Sequence, residues 1–466
     1  MLRSERKTEM NKSIKKGFIG LLLLSVVLSG CQKTPAPAES NQPRTDVQDK
    51  VTGSREEIAK VYVETLGAGD FDKLLQGFAY DEQMQKASSQ LQASLEPSLK
   101  QLGALKEIQT ANEIQQGGYI IVQVPVLFEN QNLCVNVVFD DQDQIAGVNF
   151  SEYVEPSNVA ALTLPEGAAE QELTLTMRDG KDLPATLTLP QGDQPAPVII
   201  LVHGSGPNDR NETLYGNTVF QDIAYRLAEQ GIATVRYDKR TFVYGAECAG
   251  DTQFTVEQET IQDAADIVGL IAKQPEIDSS AIYVLGHSLG GLCMPRIAAE
   301  TPEAAGYIMM AAPVTDLASL MRMQYEHLAQ FMNTDQEKAS MEAMMAELDK
   351  LQQLDSLPED EAVVGAYPAY WKDLLSYDPV KTAETITKPV LVLQGEEDYQ
   401  VPLQEFETWK AAYGEKANWT FHSYSGLSHL MMPGDFDANP NTYYMQKAVV
   451  DPRVTDDIAA FIHAQK

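Results

Sequence analysis

Cysteine is scarce in this chain of 466 residues, which holds four. Cys134, Cys248 and Cys293 are widely spaced, and no cluster of cysteine and histidine has the spacing of metal ligands. An odd, sparse set of this kind excludes a disulfide-based framework, and it predicts that the protein has no metal site. One disulfide among these three cysteines stays possible, but the spacing does not assign it.

Positive charge is also scarce, because 35 lysine and arginine residues stand against 67 aspartate and glutamate residues, a formal net charge of −32 at pH 7. Such a surface repels the phosphates of nucleic acids and anionic lipid headgroups. The composition therefore predicts no nucleic-acid partner and no adhesion to membranes through a basic patch. An apolar content of 44% is ordinary for a globular protein with a large core.

The apolar run near the N-terminus is too short to cross a membrane. Phe18–Leu28 covers about eleven residues, whereas a spanning helix needs about 20. Lysines precede this run, and it ends in Leu28-Ser29-Gly30-Cys31, which resembles the bacterial lipoprotein signal at all four positions. This resemblance implies a signal peptide over residues 1–30 and a diacylglyceryl group on Cys31. The alternative is a signal peptide followed by an incidental cysteine.

A lipid on Cys31 implies an exported protein that is anchored to the outer face of the bacterial cell membrane. In a source with two membranes, the same signal implies a periplasmic or outer-membrane location. Residues 31–53 are polar, contain three prolines and lack apolar periodicity. They are predicted to form a flexible tether between the lipid and the folded protein.

Residues 54–152 are predicted to form a small α+β domain. Ser54 and Glu57 make a capping-box pattern at the start of an amphipathic helix. The pattern later changes to strands, which are predicted at Gly118–Phe128, Leu133–Phe139 and Gln144–Phe150. Helices followed by an antiparallel meander are typical of the α+β class. The segment resembles a domain of unknown function that precedes some bacterial hydrolases.

Residues 171–466 alternate between apolar strands and amphipathic helices. The predicted strands include Val198–Val202, Ala233–Tyr237, Ala281–Leu285, Tyr307–Ala311, Val390–Gln394 and Trp419–Tyr424. Apolar strands separated by helices indicate an α/β fold in which a mostly parallel sheet has helices on both faces. A mostly helical stretch at about 314–388 is too long for a simple crossover and is predicted to be an insertion.

A G-x-S-x-G pattern, Gly286-His287-Ser288-Leu289-Gly290, follows the predicted strand Ala281–Leu285 and precedes a helical stretch. Ser288 at such a strand-to-helix turn has strained backbone angles, which require small residues two positions before and after it. A serine hydroxyl is a weak nucleophile and needs a base positioned to take its proton. The pattern predicts that Ser288 is a nucleophile, and the alternative is a buried serine flanked by glycines.

The acid and the base of such a serine are predicted from a resemblance to the α/β-hydrolase superfamily. Gly395–Pro402 is similar to the family's G-x-x-D-x-x-V-P loop and nominates Asp398 as the acid, with Glu397 as the alternative. The loop after the last predicted strand carries His429, where the family has its base. Three other histidines do not follow a strand as the family arrangement requires: His327, His422 and His463.

The oxyanion hole is predicted from the same resemblance. His203–Pro207 looks like the family's H-G-x loop, which implies that the backbone N–H groups of Ser205 and Leu289 stabilise the oxyanion. No role is predicted for Asn208-Asp209-Arg210. Asp238–Gly245 departs from the family's D-x-R-G-x-G run and weakens the assignment to any one branch of the superfamily.

These elements recur in the family's order over about 170–465, and within the superfamily the chain most resembles bacterial serine-aminopeptidase-like and dienelactone-hydrolase-like branches. The resemblance implies that the insertion is a lid and that the enzyme cleaves small to medium carboxylic esters through an acyl-enzyme on Ser288. It implies no metal and no organic cofactor. A peptidase, an aminopeptidase or an acyltransferase would use the same triad, and a non-catalytic binding lipoprotein is a further alternative. The oligomeric state stays open.

Overall fold

A computed structural model describes residues 50–465, apart from 83, 87–91, 93, 94, 97, 98, 101, 117, 118, 154–158 and 333. The predicted signal peptide, Cys31 and nearly all of the predicted tether lie outside the described residues. The chain divides into two compact units, one up to Tyr153 and one with nearly all residues from Val154 onward. Among the described residues, no helix combines the length and the apolar character that a membrane span requires.

The first unit begins with a helix whose capping box is formed as predicted. Ser54 Oγ accepts the Glu57 N–H at 3.2 Å, and the Ser54 N–H donates to Glu57 Oε2 at 2.8 Å. The described residues between Glu82 and Leu102 are also helical. The other bounds are α1 (Arg55–Gly67), α2 (Phe71–Gln76), β1 (Leu105–Ile108), β2 (Asn112–Gln116), β3 (Tyr119–Phe128), β4 (Asn132–Phe139) and β5 (Ile145–Glu152).

The strands of the first unit form an antiparallel sheet in the order β1-β3-β4-β5, with β2 also paired to β3. Tyr62 and Leu66 of α1 share one apolar core with Val124 of β3 and Val135 of β4. A helix packed on one face of an antiparallel sheet is an α+β arrangement. The predicted fold class of this part of the chain is confirmed.

The second unit alternates strands and helices. Its strands are β6 (Ala169–Thr176), β7 (Asp182–Leu189), β8 (Ala196–Val202), β9 (Thr213–Leu214), β10 (Asn217–Thr218), β11 (Ala233–Tyr237), β12 (Ile277–His287), β13 (Gly306–Met310), β14 (Val390–Gly395) and β15 (Trp419–Tyr424). Its helices are α3 (Val219–Glu229), α4 (Arg240–Val243), α5 (Gly245–Gly250), a π-helical turn (Glu257–Ile261), α6 (Gln262–Ile271), α7 (Leu289–Leu292), α8 (Met294–Glu300), α9 (Leu317–Ala329), α10 (Asp335–Asp349), a 3₁₀ helix (Lys350–Ser356), α11 (Pro368–Leu375), α12 (Pro379–Ala383), α13 (Leu403–Tyr413), α14 (Pro440–Tyr444) and α15 (Pro452–His463).

Eight of the described strands form a sheet in the order β15-β14-β13-β12-β8-β11-β7-β6. The strands from β15 to β11 run parallel, whereas β7 is antiparallel to both of its neighbours. Val198 and Ile200 of β8 belong to the core on one face, and Ile199 and Leu201 belong to the core on the other face. Successive side chains of a strand point to opposite faces, so a sheet covered on both sides needs apolar residues at every position. The predicted α/β-hydrolase fold is confirmed, and the carboxyl ends of the parallel strands share one edge.

The helical insertion between β13 and β14 has a small core of its own. Leu348, Leu351, Val363 and Trp371 form this core, and Trp371 Nε1 donates to the carbonyl oxygen of Val363 at 2.7 Å. The insertion therefore packs as a separate helical layer and adds no strand to the eight-stranded sheet.

The disulfide that the sequence left open does not form among the described cysteines. Cys134, Cys248 and Cys293 are each buried with a free thiol. Burial raises the pKa of the Cys134 and Cys293 thiols to about 12, so both stay protonated at neutral pH.

Candidate active site

Ser288 directly follows β12 in a backbone conformation that most residues avoid. Its φ is 53° and its ψ is −113°, outside the regions that L-residues favour. Such a conformation persists only where the surrounding structure fixes the backbone. The Ser288 N–H donates to the carbonyl of Met310 at 2.9 Å, and the Ser288 carbonyl accepts from Leu292 at 2.9 Å. The turn places Ser288 at the carboxyl edge of the sheet, where it lines a cavity.

Close backbone contacts explain the glycines around Ser288. A Cβ on Gly286 would lie 2.3 Å from the carbonyl oxygen of Gly290, and a Cβ on Gly290 would lie 2.6 Å from that of Val202. A Cβ on Gly204 of the neighbouring loop would lie 3.1 Å from Ser288 Cβ. Any larger residue would push these segments apart, so the G-x-S-x-G pattern has a steric cause.

Asp398 and His429 form a buried hydrogen-bonded pair, with 2.7 Å between His429 Nδ1 and Asp398 Oδ2. Asp398 Oδ1 accepts the N–H groups of Gln400 at 2.8 Å and Val401 at 2.9 Å. Gln394 Nε2 donates to Oδ2 at 3.1 Å. These bonds fix the carboxylate. Because Asp398 accepts the hydrogen bond from His429 Nδ1, His429 Nε2 stays free to take a proton.

The competing residues have other partners. Glu397 accepts a backbone N–H at 3.2 Å. His422 lies on β15 with Nδ1 3.2 Å from an aspartate of α15, and His463 Nε2 lies 3.1 Å from a backbone carbonyl oxygen. His327 lies in α9 and stacks on a tyrosine ring, with 5.0 Å between the ring centroids. Of the two candidate acids, the structure therefore brings Asp398 to the predicted base.

Ser205 and Leu289 line the same cavity as Ser288 and His429. Within the part of the chain that the structure describes, neither the Ser205 N–H nor the Leu289 N–H donates to a protein acceptor. Unpaired N–H groups at a cavity can bind a carbonyl oxygen while negative charge develops on it. All five predicted site residues of the second unit thus fall at one edge of the sheet.

A buried lysine fixes the loop that carries Ser205. Lys239 is 1% exposed, and its Nζ donates to the carbonyl oxygens of Gly204 at 2.7 Å and Gly206 at 3.1 Å. Asn208 Nδ2 also donates to the Gly204 carbonyl at 3.3 Å. The peptide bond between Gly204 and Ser205 is trans, so the C=O of Gly204 and the N–H of Ser205 point in opposite directions. Holding the Gly204 carbonyl therefore turns the Ser205 N–H away from Lys239.

The charge of Lys239 is balanced by Glu259, and this contact reaches the insertion. Glu259 lies in the π-helical turn, with Oε1 2.6 Å from Lys239 Nζ. Tyr370 of α11 donates to Glu259 Oε2 at 2.6 Å. Burial and the charge of Glu259 hold the pKa of Tyr370 well above its ordinary value, so its hydroxyl stays a donor. The insertion is thereby connected to the loop of Ser205 through Tyr370, Glu259 and Lys239.

The segment without a predicted role supports the same loop. Asp209 Oδ1 accepts the Thr213 N–H at 2.8 Å. Arg210 makes a two-point ion pair with Asp238, at 3.1 Å and 2.9 Å. The first two residues of Asp238–Gly245 therefore have a structural role, because Asp238 binds the arginine that follows the glycine-rich loop and Lys239 binds that loop. The sequence signal that could have indicated this role is the run of three consecutive charged residues, Asp238-Lys239-Arg240, directly after an apolar strand.

Two buried residues near Ser288, Glu212 and His287, were also not predicted from the sequence. Glu212 accepts the Gly204 N–H at 2.6 Å and faces His287, and His287 faces the backbone carbonyl of His429. His287 stands at the variable position of G-x-S-x-G, which sets no residue type, so no sequence signal pointed to it.

The cavity has a volume of about 700 Å³. The insertion supplies one wall, which contains Leu317, Leu320, Met321, Tyr367, Tyr370 and Trp371. Among the described residues, no group of three or more His, Cys, Asp and Glu side chains could hold a metal ion. The wall indicates a largely apolar binding space of a size typical of small-molecule sites.

Comparison with known proteins identifies the family. A family model described as serine aminopeptidase, S33, matches residues 193–435, just over half of the chain. Esterase EstD from Thermotoga maritima is 34% identical over 418 residues, which cover 88% of this chain and 96% of that protein. The chain belongs to the S33 serine aminopeptidase family. It is a serine hydrolase, as predicted.

Other comparisons cover smaller parts of this S33 family member. A model described as a protein of unknown function matches residues 59–148, which confirms the predicted resemblance of the first unit. Acylamino-acid-releasing enzyme from Sus scrofa is 22% identical over 230 residues, or 48% of this chain and 28% of that protein. The solved structure of Est1E from Butyrivibrio proteoclasticus is 19% identical with a TM-score of 0.42, and the match covers 63% of this chain and 98% of that chain.

Removing the ammonium group that holds the Ser205 loop is expected to lower kcat. Lys239→Met alone leaves Glu259 buried and unpaired, which would destabilise the fold, so the informative variant is Lys239→Met with Glu259→Gln. Misalignment of one oxyanion donor is expected to lower kcat about 10- to 100-fold, with KM within about threefold. Steady-state kinetics on p-nitrophenyl butyrate measure both constants.

The matched control is Glu415→Gln with Lys416→Met, because these adjacent residues carry the same two charges but are exposed. The control is expected to keep the wild-type kcat. A Lys239 and Glu259 double variant with a kcat within twofold of wild type would show that the lysine does not orient the loop.

Proposed function

We propose that this S33 family member is an esterase that cleaves uncharged carboxylic esters through an acyl-enzyme on Ser288. The observation that carries the proposal is the buried pair of Asp398 and His429, whose histidine lines the same cavity as the strained Ser288. The name of the 34% identical relative, Esterase EstD, supports an ester as the substrate.

In the first half of the proposed reaction, Ser288 Oγ attacks the ester carbonyl while His429 Nε2 takes the hydroxyl proton. Asp398 keeps the imidazole oriented and stabilises the imidazolium that forms. The N–H groups of Ser205 and Leu289 stabilise the negative charge on the carbonyl oxygen. His429 then gives its proton to the leaving alcohol as the tetrahedral intermediate collapses, and the acyl group stays on Ser288.

In the second half, water takes the place of the alcohol. His429 accepts a proton from the water as its oxygen attacks the acyl carbon. Collapse of the second tetrahedral intermediate returns the proton to Ser288 and releases the carboxylic acid. An acyltransferase would differ at this step alone, because a second alcohol or amine would take the place of water.

The charges around the cavity favour an uncharged substrate. The described lining residues include the carboxylates of Glu212, Asp251 and Glu259 but no lysine or arginine. Glu212 faces His287 and Glu259 faces Lys239, so Asp251 is left as an exposed negative charge. An anionic ester would meet this charge and the net charge of −32, with no lysine or arginine in the described lining to bind it.

Asp251 also favours a second candidate function. An exposed carboxylate at the cavity can pair with the free amino group of a peptide substrate, and the family model is described as a serine aminopeptidase. The same triad would then cleave an amide. The esterase is the preferred candidate because the 34% identical relative is named an esterase.

A substrate panel separates these functions. We expect kcat/KM for p-nitrophenyl butyrate to exceed, by about tenfold or more, the values for the anionic p-nitrophenyl hemiglutarate and for leucine p-nitroanilide.

Ser288→Ala is expected to lower kcat by at least about 1,000-fold, since the whole triad acts through this hydroxyl. Ser279→Ala, on an exposed residue near the other end of β12, serves as the control.

Two results would count against the proposed esterase. A higher kcat/KM for the anilide than for the ester would favour the aminopeptidase. An unchanged rate in Ser288→Ala would exclude Ser288 as the nucleophile of either reaction.

We also propose that the chain is exported and anchored to a membrane through a lipid on Cys31. The support is the sequence pattern alone, in which lysines precede the apolar run Phe18–Leu28 and the run ends in Leu28-Ser29-Gly30-Cys31. An anchor with more than one acyl chain would hold the enzyme stably at the membrane surface.

Replacing the thiol tests the anchor. The chain produced in a bacterial host is expected to incorporate labelled palmitate and to partition into the detergent phase of Triton X-114, whereas Cys31→Ser is expected to do neither. Ser40→Ala, outside the signal pattern, is the control and is expected to behave as wild type. Labelling of Cys31→Ser equal to that of wild type would contradict the assignment.

A further inference from the structure

Glu212 and His287 form a buried pair that connects the loops on both sides of Ser288. Each is 1% exposed. Glu212 Oε1 accepts the N–H of Gly204 at 2.6 Å, and Glu212 Oε2 lies 2.9 Å from His287 Nδ1. His287 Nε2 lies 3.0 Å from the backbone carbonyl oxygen of His429. The contacts therefore run without interruption from the loop His203–Pro207, which we call the oxyanion loop, to the loop that carries His429, which we call the base loop.

Both ring nitrogens of His287 face oxygen atoms that accept hydrogen bonds. The carboxylate of Glu212 and the backbone carbonyl of His429 carry no proton, so each nitrogen must donate one. Neutral imidazole has a single N–H, and only the imidazolium form has two. The alternative is that one of these two protons lies on Glu212, which would leave His287 neutral. The hydrogen bond from the Gly204 N–H stabilises the ionised carboxylate of Glu212 and so disfavours this alternative.

The electrostatics agree with this proton placement. Burial lowers the pKa of His287, but the charge and hydrogen bond of Glu212 outweigh burial and raise that pKa above its ordinary value. Burial raises the pKa of Glu212, but the charge and hydrogen bond of His287 outweigh it and the net shift is downward. The pair is therefore held as two opposite charges.

The other groups around His287 do not compete for its proton. The charge of Asp398 favours the imidazolium, and the ring of His429 lies 4.6 Å away, centroid to centroid. His203, which also interacts with Glu212, is kept neutral at neutral pH because burial lowers its pKa to about 4. On the flanking strands the neighbours in register are apolar, namely Val202 beside Gly286 and Met310 beside His287.

We propose that His287 is a buried imidazolium that acts with Glu212 as a positioning pair for the reaction on Ser288. Glu212 holds the oxyanion loop at Gly204, and His287 holds the base loop at the carbonyl of His429. This inference rests on the proposed function, because it concerns the same reaction. Nothing in the pair takes or gives a proton during the reaction.

The pair gives the enzyme an alkaline limit. The protonation of His287 contributes stability that is complete below the ordinary histidine pKa of about 6.5 and is lost as the pH rises through the raised pKa of folded His287. Above that pH, one of the two ring nitrogens carries no proton and faces an oxygen that can only accept. We therefore expect kcat to decrease on the alkaline side while the protein stays folded.

Two substitutions of Glu212 separate its geometry from its charge. Glu212→Ala removes both contacts and is expected to lower kcat about 100-fold, with KM within about threefold. Glu212→Gln keeps an acceptor for the Gly204 N–H and provides an N–H donor to a neutral His287, whose Nε2–H still bonds the carbonyl of His429. It is expected to keep kcat within about fivefold of wild type at neutral pH and to lose the alkaline decrease.

The control is His422→Gln, because this half-buried histidine lies on β15 and its described contact is with α15. It is expected to keep the wild-type kcat and pH profile. The chain has six histidines, which makes ¹⁵N NMR of the ring nitrogens practical. At pH 7 we expect both nitrogens of His287 to carry protons in wild type and one of them in Glu212→Gln.

Two results would overturn the inference. One is a wild-type His287 with a single protonated ring nitrogen at pH 7, which needs no variant to fold. The other is a folded Glu212→Ala with a kcat within threefold of wild type. Fluorophosphonate labelling of Ser288 tests the proposed function separately: a labelled wild type with either result contradicts the positioning pair alone, whereas an unlabelled wild type contradicts the proposed reaction.

Discussion

The backbone of Ser288, at φ 53° and ψ −113°, is the constraint on which the rest of the site depends. L-residues avoid this conformation, and contacts with the ends of β8 and β13 keep it in place. The Ser288 N–H bonds to Met310 of β13, and Gly290 lies against the carbonyl of Val202 at the end of β8. The ends of two strands of the eight-stranded sheet therefore supply the contacts that hold the turn at Ser288.

Buried charges hold the loops around that turn. Lys239 with Glu259 binds the carbonyl side of the oxyanion loop, and Glu212 with His287 binds its N–H side. Removing one partner of such a pair leaves an uncompensated buried charge, which is costly, so each pair keeps its geometry. Donors fixed before the substrate arrives need no reorganisation during the reaction. Tyr370 extends one of these contacts into the helical insertion, so the insertion and the oxyanion loop share a support.

The fold follows from local patterns and the candidate triad from the family resemblance, whereas the supporting charges follow from neither. Apolar runs such as Val198–Val202 predict buried parallel strands, and the resemblance nominates Asp398 and His429, which the structure brings together. The strand before Ser288 begins at Ile277, earlier than predicted, because Asp278 and the two serines after it interrupt the apolar pattern. Glu212 bonds to a residue 75 positions away and Lys239 to one 35 positions away. No local periodicity marks such partners, so they become visible only when the sheet brings them together.

The position of a covalent adduct tests most directly whether Ser288 is the nucleophile. The protein is treated with a fluorophosphonate, digested, and the modified peptide is sequenced by mass spectrometry. One adduct is expected, on Ser288, and it is expected to form more slowly when an uncharged ester competes for the site. An adduct on another serine, or catalysis of ester hydrolysis by a protein that forms no adduct, would contradict this assignment.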